Sequence, residues 1–246
     1  MRRDHVSLWS PELEASGDVI AYGHFGRPVV VFPSEGGRAW DYENNGMVDA
    51  VAPLLEAGRV KLYCIDSFDA ASWSAPHLTL EERARQHDRY EGWILHQVVP
   101  WIHDDCRGWQ EALVTGCSLG AYHAANLALR HADLFPVAIC LSGVYDLGSS
   151  GWGERGDAFY FHNPIDYVAN LSGDHLEWLR GRVHLVLVCG QGQWEDTTGA
   201  LDGTRRFAEL LVTKGLGHEL DLWGWDVPHD WPSWRSQIAH HLPRFC

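Results

Sequence analysis

Apolar residues along the chain fall into short runs that alternate with longer segments of helical periodicity. Short apolar runs bounded by turn residues are typical of buried strands. Eight runs fit this description, at residues 6–9, 18–25, 27–33, 60–66, 112–118, 137–143, 183–190 and 218–225. The runs at 18–25 and 27–33 are joined tightly at Gly26, which predicts an antiparallel start to the sheet. The last five are far enough apart for crossover helices, so they are predicted to be parallel.

Helical periodicity fills the gaps between these runs. The helical patterns cover residues 47–58, 79–102, 119–132, 204–215 and 234–242. One of them begins at Thr79 with Glu82 three residues later, the pattern of a capping box. Alternating strands and helices predict an α/β fold, a mostly parallel eight-stranded sheet with helices on both faces. We expect one domain over residues 1–246, with a lid or cap inserted at about 144–182, where closely spaced glycines interrupt the alternation of strands and helices.

Composition excludes several classes of partner. The formal net charge is −14 and lysines stand only at 61 and 214, so nucleic acid and anionic membrane surfaces are not expected partners. No apolar run is long enough to span a membrane, and the first residues lack the apolar core of a signal peptide. A cytoplasmic location is therefore expected. The six cysteines form no CxxC motif, so no zinc or redox site is predicted.

The segment Gly116-Cys117-Ser118-Leu119-Gly120 has the form G-x-S-x-G. The pattern alone is weak evidence, but here it joins an apolar strand run to an Ala/Leu-rich helix. A serine on such a strained turn is pushed out above the sheet edge, where it can act as a nucleophile. The N–H of Leu119, at the start of the helix, would point toward an oxyanion formed there.

A serine nucleophile needs a base, and fifteen histidines compete for that role. His229 follows the last apolar run and precedes the C-terminal helix, as expected for the order nucleophile, acid, histidine. His123 and His131 belong to the helix after the serine, and His240 and His241 to the last helix, so we expect these four to serve packing or the surface.

The third member of a triad should be a carboxylate after the preceding strand run, because it must orient the imidazole. The run ending at Gly190 is followed by Glu195 and Asp196. Glu195 is the first choice and Asp196 the second, whereas Asp202 is expected to cap the next helix. A second oxyanion donor is expected from the loop at 33–38, which contains two adjacent glycines.

Thirteen tryptophans are unusual in a chain of this length. Five occupy loops predicted at the rim of the site, where aromatic side chains often line a substrate cleft. They are Trp40, Trp73, Trp152, Trp194 and Trp231. As a group they predict a substrate with an apolar or aromatic acyl or alcohol part.

These segments together resemble the putative esterase (esterase D-like) family of α/β hydrolases. That family includes feruloyl esterases, S-formylglutathione hydrolases and mycolyltransferases. The resemblance is carried by residues 29–47, 114–131, 186–190 and 220–238. It implies Ser118 and His229 as catalytic residues, and the N–H groups of Leu119 and Gly37 as the oxyanion hole. Several relatives place the acid where this chain has Gln193, so Glu195 or Asp196 would require a small shift of the loop.

The leading hypothesis is a cofactor-free serine esterase that cleaves a small-molecule ester through an acyl-enzyme on Ser118. Acyl transfer from the same intermediate is an alternative, and a non-catalytic binding protein on the same fold is another. A metallohydrolase is suggested by pairs such as His87-Asp88 and His103-Asp104, but no HExxH cluster supports it. The oligomeric state is not predicted by any of these features.

Overall fold

The fold is built on one central sheet in a computed structural model that describes residues 1–108 and 111–246. Within these residues the sheet has eight strands in the order β1-β2-β4-β3-β5-β6-β7-β8. The strands are β1 Arg3–Ser10, β2 Ala15–Tyr22, β3 Arg27–Phe32, β4 Val60–Ile65, β5 Leu113–Cys117, β6 Val137–Leu141, β7 His184–Cys189 and β8 Gly217–Leu222. Each lies within or close to one of the predicted apolar runs, and the predicted α/β fold with a mostly parallel eight-stranded sheet is confirmed.

The antiparallel start of the sheet differs in detail from the expectation. β1 pairs antiparallel with β2, and β2 pairs antiparallel with β4. The tight connection at Gly26 therefore does not join neighbouring strands, because β4 lies between β2 and β3. All pairs from β4 through β3 to β8 are parallel, as predicted for the later runs.

Helices cover both faces of the sheet. They are α1 Asp41–Asn44, α2 Met47–Ala50, α3 Ala52–Glu56, α4 Leu80–Trp93, α5 Val99–Cys106, α6 Leu119–Arg130, α7 Asp157–His162, α8 Pro164–Asn170, α9 Gly173–Arg180, α10 Ala200–Lys214 and α11 Trp231–His241. A π-helical turn, Ile94–Val98, joins α4 to α5, and 3₁₀ turns occur at Asp69–Ala71, Leu147–Ser149 and Leu242–Phe245. The predicted capping box of α4 is present: Thr79 accepts from the Glu82 N–H, and the Glu82 carboxylate accepts from the Thr79 N–H.

Successive strand residues point to opposite faces, so each buried strand contributes to two apolar layers. Val30 and Phe32 pack toward α4, α6 and α10, whereas Val29 and Val31 pack toward α2, α3 and α11. The near-continuous apolar strands seen in the sequence follow from this burial on both faces. Asp202 lies in the first turn of α10 rather than capping a helix that begins at Thr204, because α10 starts four residues earlier at Ala200.

The segment at 144–182 contains α7, α8 and α9. Tyr167, Val168, Leu176 and Leu179 belong to the main core on the α4 and α6 side of the sheet. These helices therefore extend the helical layer, and only the beginning of the segment borders the cleft described below. That beginning is tied to α4 through the Leu80 N–H to Trp152 O and the Glu81 N–H to Glu154 O.

Glu91 links the helices of this layer. Its buried carboxylate accepts from Arg130 at 2.9–3.1 Å and faces His131 Nε2 at 2.9 Å. Burial by itself raises the pKa of Glu91, but the hydrogen bond from His131 and the charges of His162 and Arg130 outweigh it and lower the pKa to about 2. Glu91 therefore stabilises the fold above its ordinary pKa, and this stabilisation is lost as the pH falls toward 2.

Replacing Glu91 by Gln should leave the Arg130 charge without its partner and lower the free energy of unfolding by about 3 kcal/mol near neutral pH. The difference between variant and wild type should shrink in acid, because below about pH 4.5 Glu91 binds a proton in the unfolded chain before it does so in the folded protein. Urea unfolding at about pH 7 and about pH 3 measures both effects. Glu177→Gln, which removes an exposed pair with Arg180, is the control and should cost less than about 1 kcal/mol. An equal loss in the two variants would contradict this role for Glu91.

Candidate active site

Ser118 stands on the sharp turn between β5 and α6. Its backbone has φ 56° and ψ −122°, a conformation that costs free energy for a residue with a side chain. The turn can close because Gly116 and Gly120 lack side chains. A Cβ on Gly116 would lie 2.2 Å from the Gly120 O, and one on Gly120 would lie 2.1 Å from the Pro33 O. The backbone thus holds Ser118 at the carboxyl edge of the sheet.

Ser118, His229 and Glu195 form one chain of hydrogen bonds. His229 Nε2 lies 3.1 Å from Ser118 Oγ, and His229 Nδ1 lies 2.9 Å from Glu195 Oε2. Because an ionised carboxylate can only accept, Nδ1 carries the proton and Nε2 is free to accept from the serine. The geometry is that of a nucleophile, a base and an orienting acid.

Glu195 is completely buried, and each of its oxygens has two partners. Oε1 accepts from Ser142 Oγ at 2.6 Å and from the Gly190 N–H at 3.2 Å. Oε2 faces His229 and the Cys189 thiol, at 3.4 Å. Burial, followed by the Glu195 charge, raises the pKa of Cys189, so the thiol remains a donor. These donors stabilise an ionised carboxylate away from water.

The other two acids considered from the sequence lie elsewhere. The Asp196 carboxylate accepts from the N–H of Thr197, next to it in the chain, and Asp202 is 77% exposed. The loop after β7 turns through Trp194, which has a left-handed φ of 70°, and this turn points Glu195 inward. Gln193 contributes its carbonyl oxygen, which accepts from the His229 N–H at 2.9 Å.

Ser142 and Trp234 were not identified from the sequence. Ser142 follows β6, donates to Glu195, and accepts from the Trp234 indole at 3.2 Å. The Trp234 ring meets the His229 ring edge-on, with centroids 5.0 Å apart. The position of Ser142 after a parallel strand beside β7 was an available signal, since the carboxyl ends of such strands share one edge.

The two N–H groups predicted to form the oxyanion hole differ in their hydrogen bonds. The Leu119 N–H lies in the first turn of α6 and beside the cleft, and no acceptor for it exists among residues 1–108 and 111–246. The Gly37 N–H, in contrast, donates to Ser34 O at 2.9 Å, so it is already used within its own turn. In the described part of the chain, the N–H of Glu35 has no such acceptor, and Glu35 lines the cleft together with Ser118.

The buried side chain of Asp69 holds this loop against the helix that follows the serine. Asp69 Oδ2 accepts from the Gly36 N–H at 3.0 Å, and Asp69 Oδ1 accepts from His123 Nε2 at 2.9 Å. His123 lies on α6, five positions after Ser118, and both side chains of the pair are 1% exposed. Asp69 therefore connects the loop at 34–37 directly to the helix that carries Leu119.

The cleft beside Ser118 has a volume of about 460 Å³. Of the five tryptophans predicted to line it, Trp73 does so. Trp152 lies next to it, 55% exposed, with its indole donating to the carbonyl of Pro76, a cleft residue.

The other three tryptophans have different surroundings. Trp40 packs under the guanidinium of Arg38, and Trp231 packs edge-on against Tyr42. Trp194 is 47% exposed on the loop that carries Glu195. The aromatic character of the described cleft wall therefore comes mainly from Trp73.

His131, His240 and His241, weighed above as candidate bases, are engaged in other contacts. His131 pairs with Glu91 and His241 with Asp221, and the His240 ring packs against Trp223. In the part of the chain that the structure describes, two groups of side chains bring metal-ligating atoms within 4.8 Å of one another: His87, Glu91 and His162, and Asp221, His240 and His241. Glu91 is already held by Arg130, and the Asp221 carboxylate by the indole of Trp223. Neither group includes Ser118 or His229.

Comparisons with known proteins place this geometry in context. The model of the family described as "Putative esterase" matches residues 26–245. No curated protein sequence matches the chain. None of the helices in the described residues is both long enough and apolar enough to cross a membrane.

Solved structures share the fold over nearly the whole chain. A ferulic acid esterase is 16% identical, with a TM-score of 0.75, covering 99% of this chain and 97% of that one. MPT51 from Mycobacterium tuberculosis is 14% identical, with a TM-score of 0.75 and the same coverage. An S-formylglutathione hydrolase from Agrobacterium tumefaciens is 14% identical, with a TM-score of 0.74, covering 98% and 93%. At these identities the likeness shows a common fold.

Glu195→Gln should slow the reaction of Ser118 with a serine-directed phosphonate by about 100-fold or more, because the imidazole loses the carboxylate that orients it. Asp196→Asn makes the same charge change one residue away and should react at the wild-type rate. Intact-protein mass spectrometry measures both rates, with Ser118→Ala as the unlabelled control. Equal slowing in the two carboxylate variants would contradict the selective role of Glu195.

Proposed function

The chain belongs to the "Putative esterase" family, as its motifs predicted, and we propose that it hydrolyses carboxylic esters through an acyl-enzyme on Ser118. The observation that carries this proposal is a pair of hydrogen bonds at His229. Its Nε2 lies 3.1 Å from Ser118 Oγ, and its Nδ1 lies 2.9 Å from Glu195 Oε2. Ser118 borders the cleft, whereas Glu195 is buried.

Acylation begins when Ser118 Oγ attacks the carbonyl carbon of the ester. His229 Nε2 accepts the serine proton as the new C–O bond forms, and the carbonyl oxygen becomes an oxyanion. Glu195 accepts a hydrogen bond from Nδ1 and stabilises the imidazolium. When the bond to the alcohol breaks, His229 returns its proton to the leaving oxygen and the acyl group remains on Ser118.

Deacylation repeats these steps with water. His229 removes a proton from the water as its oxygen attacks the acyl carbon, and then returns the proton to Ser118 Oγ as the acid leaves. In acyl transfer an alcohol or amine would replace the water, and the two outcomes differ only in the product. Every role is filled by this chain's own groups, so the proposal includes no cofactor.

We assign the oxyanion hole to the N–H groups of Leu119 and Glu35. Leu119 lies at the helix N-terminus, where the backbone dipoles favour negative charge. Glu35 belongs to the loop that Asp69 fixes to α6. Donors held in place before the reaction need no reorganisation as the charge develops.

Ser118→Ala should reduce turnover of p-nitrophenyl esters by three orders of magnitude or more (about 1,000-fold), because the variant has no group to carry the acyl chain. Its thermal unfolding should match that of the wild type, since the serine side chain contributes little to packing. A purified, folded variant that retained a tenth of the activity would exclude Ser118 as the nucleophile.

Asp69→Asn should lower kcat about 10-fold or more with little change in KM. Asn replaces one carboxylate oxygen by an NH2 group, so it cannot accept from both the Gly36 N–H and His123 Nε2–H as Asp69 does. Asp221→Asn is the matched control, because Asp221 also pairs with a histidine but lies apart from the cleft residues. Steady-state kinetics on one neutral ester compares the two. A rise in KM alone would argue that Asp69 shapes the cleft instead of positioning the oxyanion loop.

A further inference from the structure

We propose that Arg83 binds a carboxylate group of the substrate, an inference that rests on the ester hydrolysis proposed above. Arg83 lies in the first turn of α4 and is 5% exposed. It lines the same cleft as Ser118 and Leu119. A substrate bound to the nucleophile therefore shares its cavity with a guanidinium group.

Three backbone carbonyls fix the Arg83 side chain. Nε donates to Leu78 O at 3.1 Å, and Nη1 donates to Trp73 O at 3.0 Å and Ser150 O at 3.2 Å. Among residues 1–108 and 111–246, no acceptor is bonded to Nη2. The guanidinium is thus held rigidly, with one nitrogen left to donate two hydrogen bonds.

The charge of Arg83 has no compensating partner in the described residues. No carboxylate there lies within 4.0 Å of its guanidinium, whereas half-buried Arg130 is paired with Glu91. Burying an unpaired cation is costly, and buried arginines are normally paired with acids. The carbonyls that hold Arg83 are neutral, so they satisfy donors but leave the positive charge for a ligand.

A single carboxylate suits this site better than a doubly charged group. Only one nitrogen is available, and the same cleft contains the exposed carboxylate of Glu35, whose Oε1 accepts from Ser74 Oγ. A dianion would be repelled more strongly by Glu35 than a monoanion. The chain as a whole has a net charge of −14, so a local cation is needed to retain an acidic substrate.

Two sets of esters test the proposal because the carboxylate could belong to either part of the substrate. For the acyl part, the mono-p-nitrophenyl esters of adipate, pimelate and suberate are compared with p-nitrophenyl esters of uncharged acids of the same length. For the alcohol part, 4-acetoxybenzoate is compared with 4-acetoxybenzamide. In at least one set, wild-type kcat/KM should favour the carboxylate about 10-fold or more, mainly through KM.

Arg83→Gln should remove this preference, whatever its effect on the uncharged esters. Arg89→Gln makes the same charge change on the exposed side of α4 and should keep the preference. Arg83→Lys, which keeps the charge, should retain part of it, and it serves if the Gln variant does not fold. Glu35→Gln should increase the preference, because it removes a negative charge from the cleft.

Wild-type hydrolysis of both sets without preference for the carboxylate would overturn the role of Arg83 and leave the proposed function intact. A preference that survived in folded Arg83→Gln would overturn it as well. If no ester of either kind were hydrolysed by the wild type, the proposed function itself would fail, and this inference would fail with it.

Discussion

The buried carboxylate of Glu195 is the interaction on which the arrangement of the site depends. It receives hydrogen bonds from the end of β6 through Ser142, from the end of β7 through Gly190, and from His229. Three segments far apart in the chain are therefore held by one ionised group. Because each lost donor would leave a buried charge less stabilised, these segments are constrained together. The position of Ser118 is fixed separately, by a turn that closes only with glycines at positions 116 and 120.

Much of the fold could be predicted because burial on both faces makes parallel strands visibly apolar. The antiparallel start of the sheet was predicted, but the strands joined at Gly26 are not neighbours, because β4 enters between them later in the chain. The order of β3 and β4 depends on packing between distant segments. No local pattern in the sequence indicates this strand order.

Candidate site residues could be predicted where the order of strands and helices determines their position. They were harder to predict where one backbone dihedral angle determines which side chain points into the site. Ser118 and His229 follow from a strand-to-helix turn and from chain order. Glu195 and Asp196 are neighbours, so choosing between them required the left-handed turn at Trp194 that sends one inward. The same holds for Gly37, because the sequence does not show that its N–H donates to the Ser34 carbonyl within the turn. That Arg83 is bound by backbone carbonyls and not by a carboxylate depends on packing between distant segments, which no local sequence pattern shows.

The wall of the cleft contributed by residues 144–152 is anchored before any substrate arrives. The Leu80 N–H binds the Trp152 carbonyl at the end of this segment, and Arg83 binds the Ser150 carbonyl from the same turn of α4. The conformational entropy of this wall is thus lost during folding rather than on association. Substrate binding then needs no ordering of the wall, so shape at this side of the cleft discriminates between substrates at the first encounter.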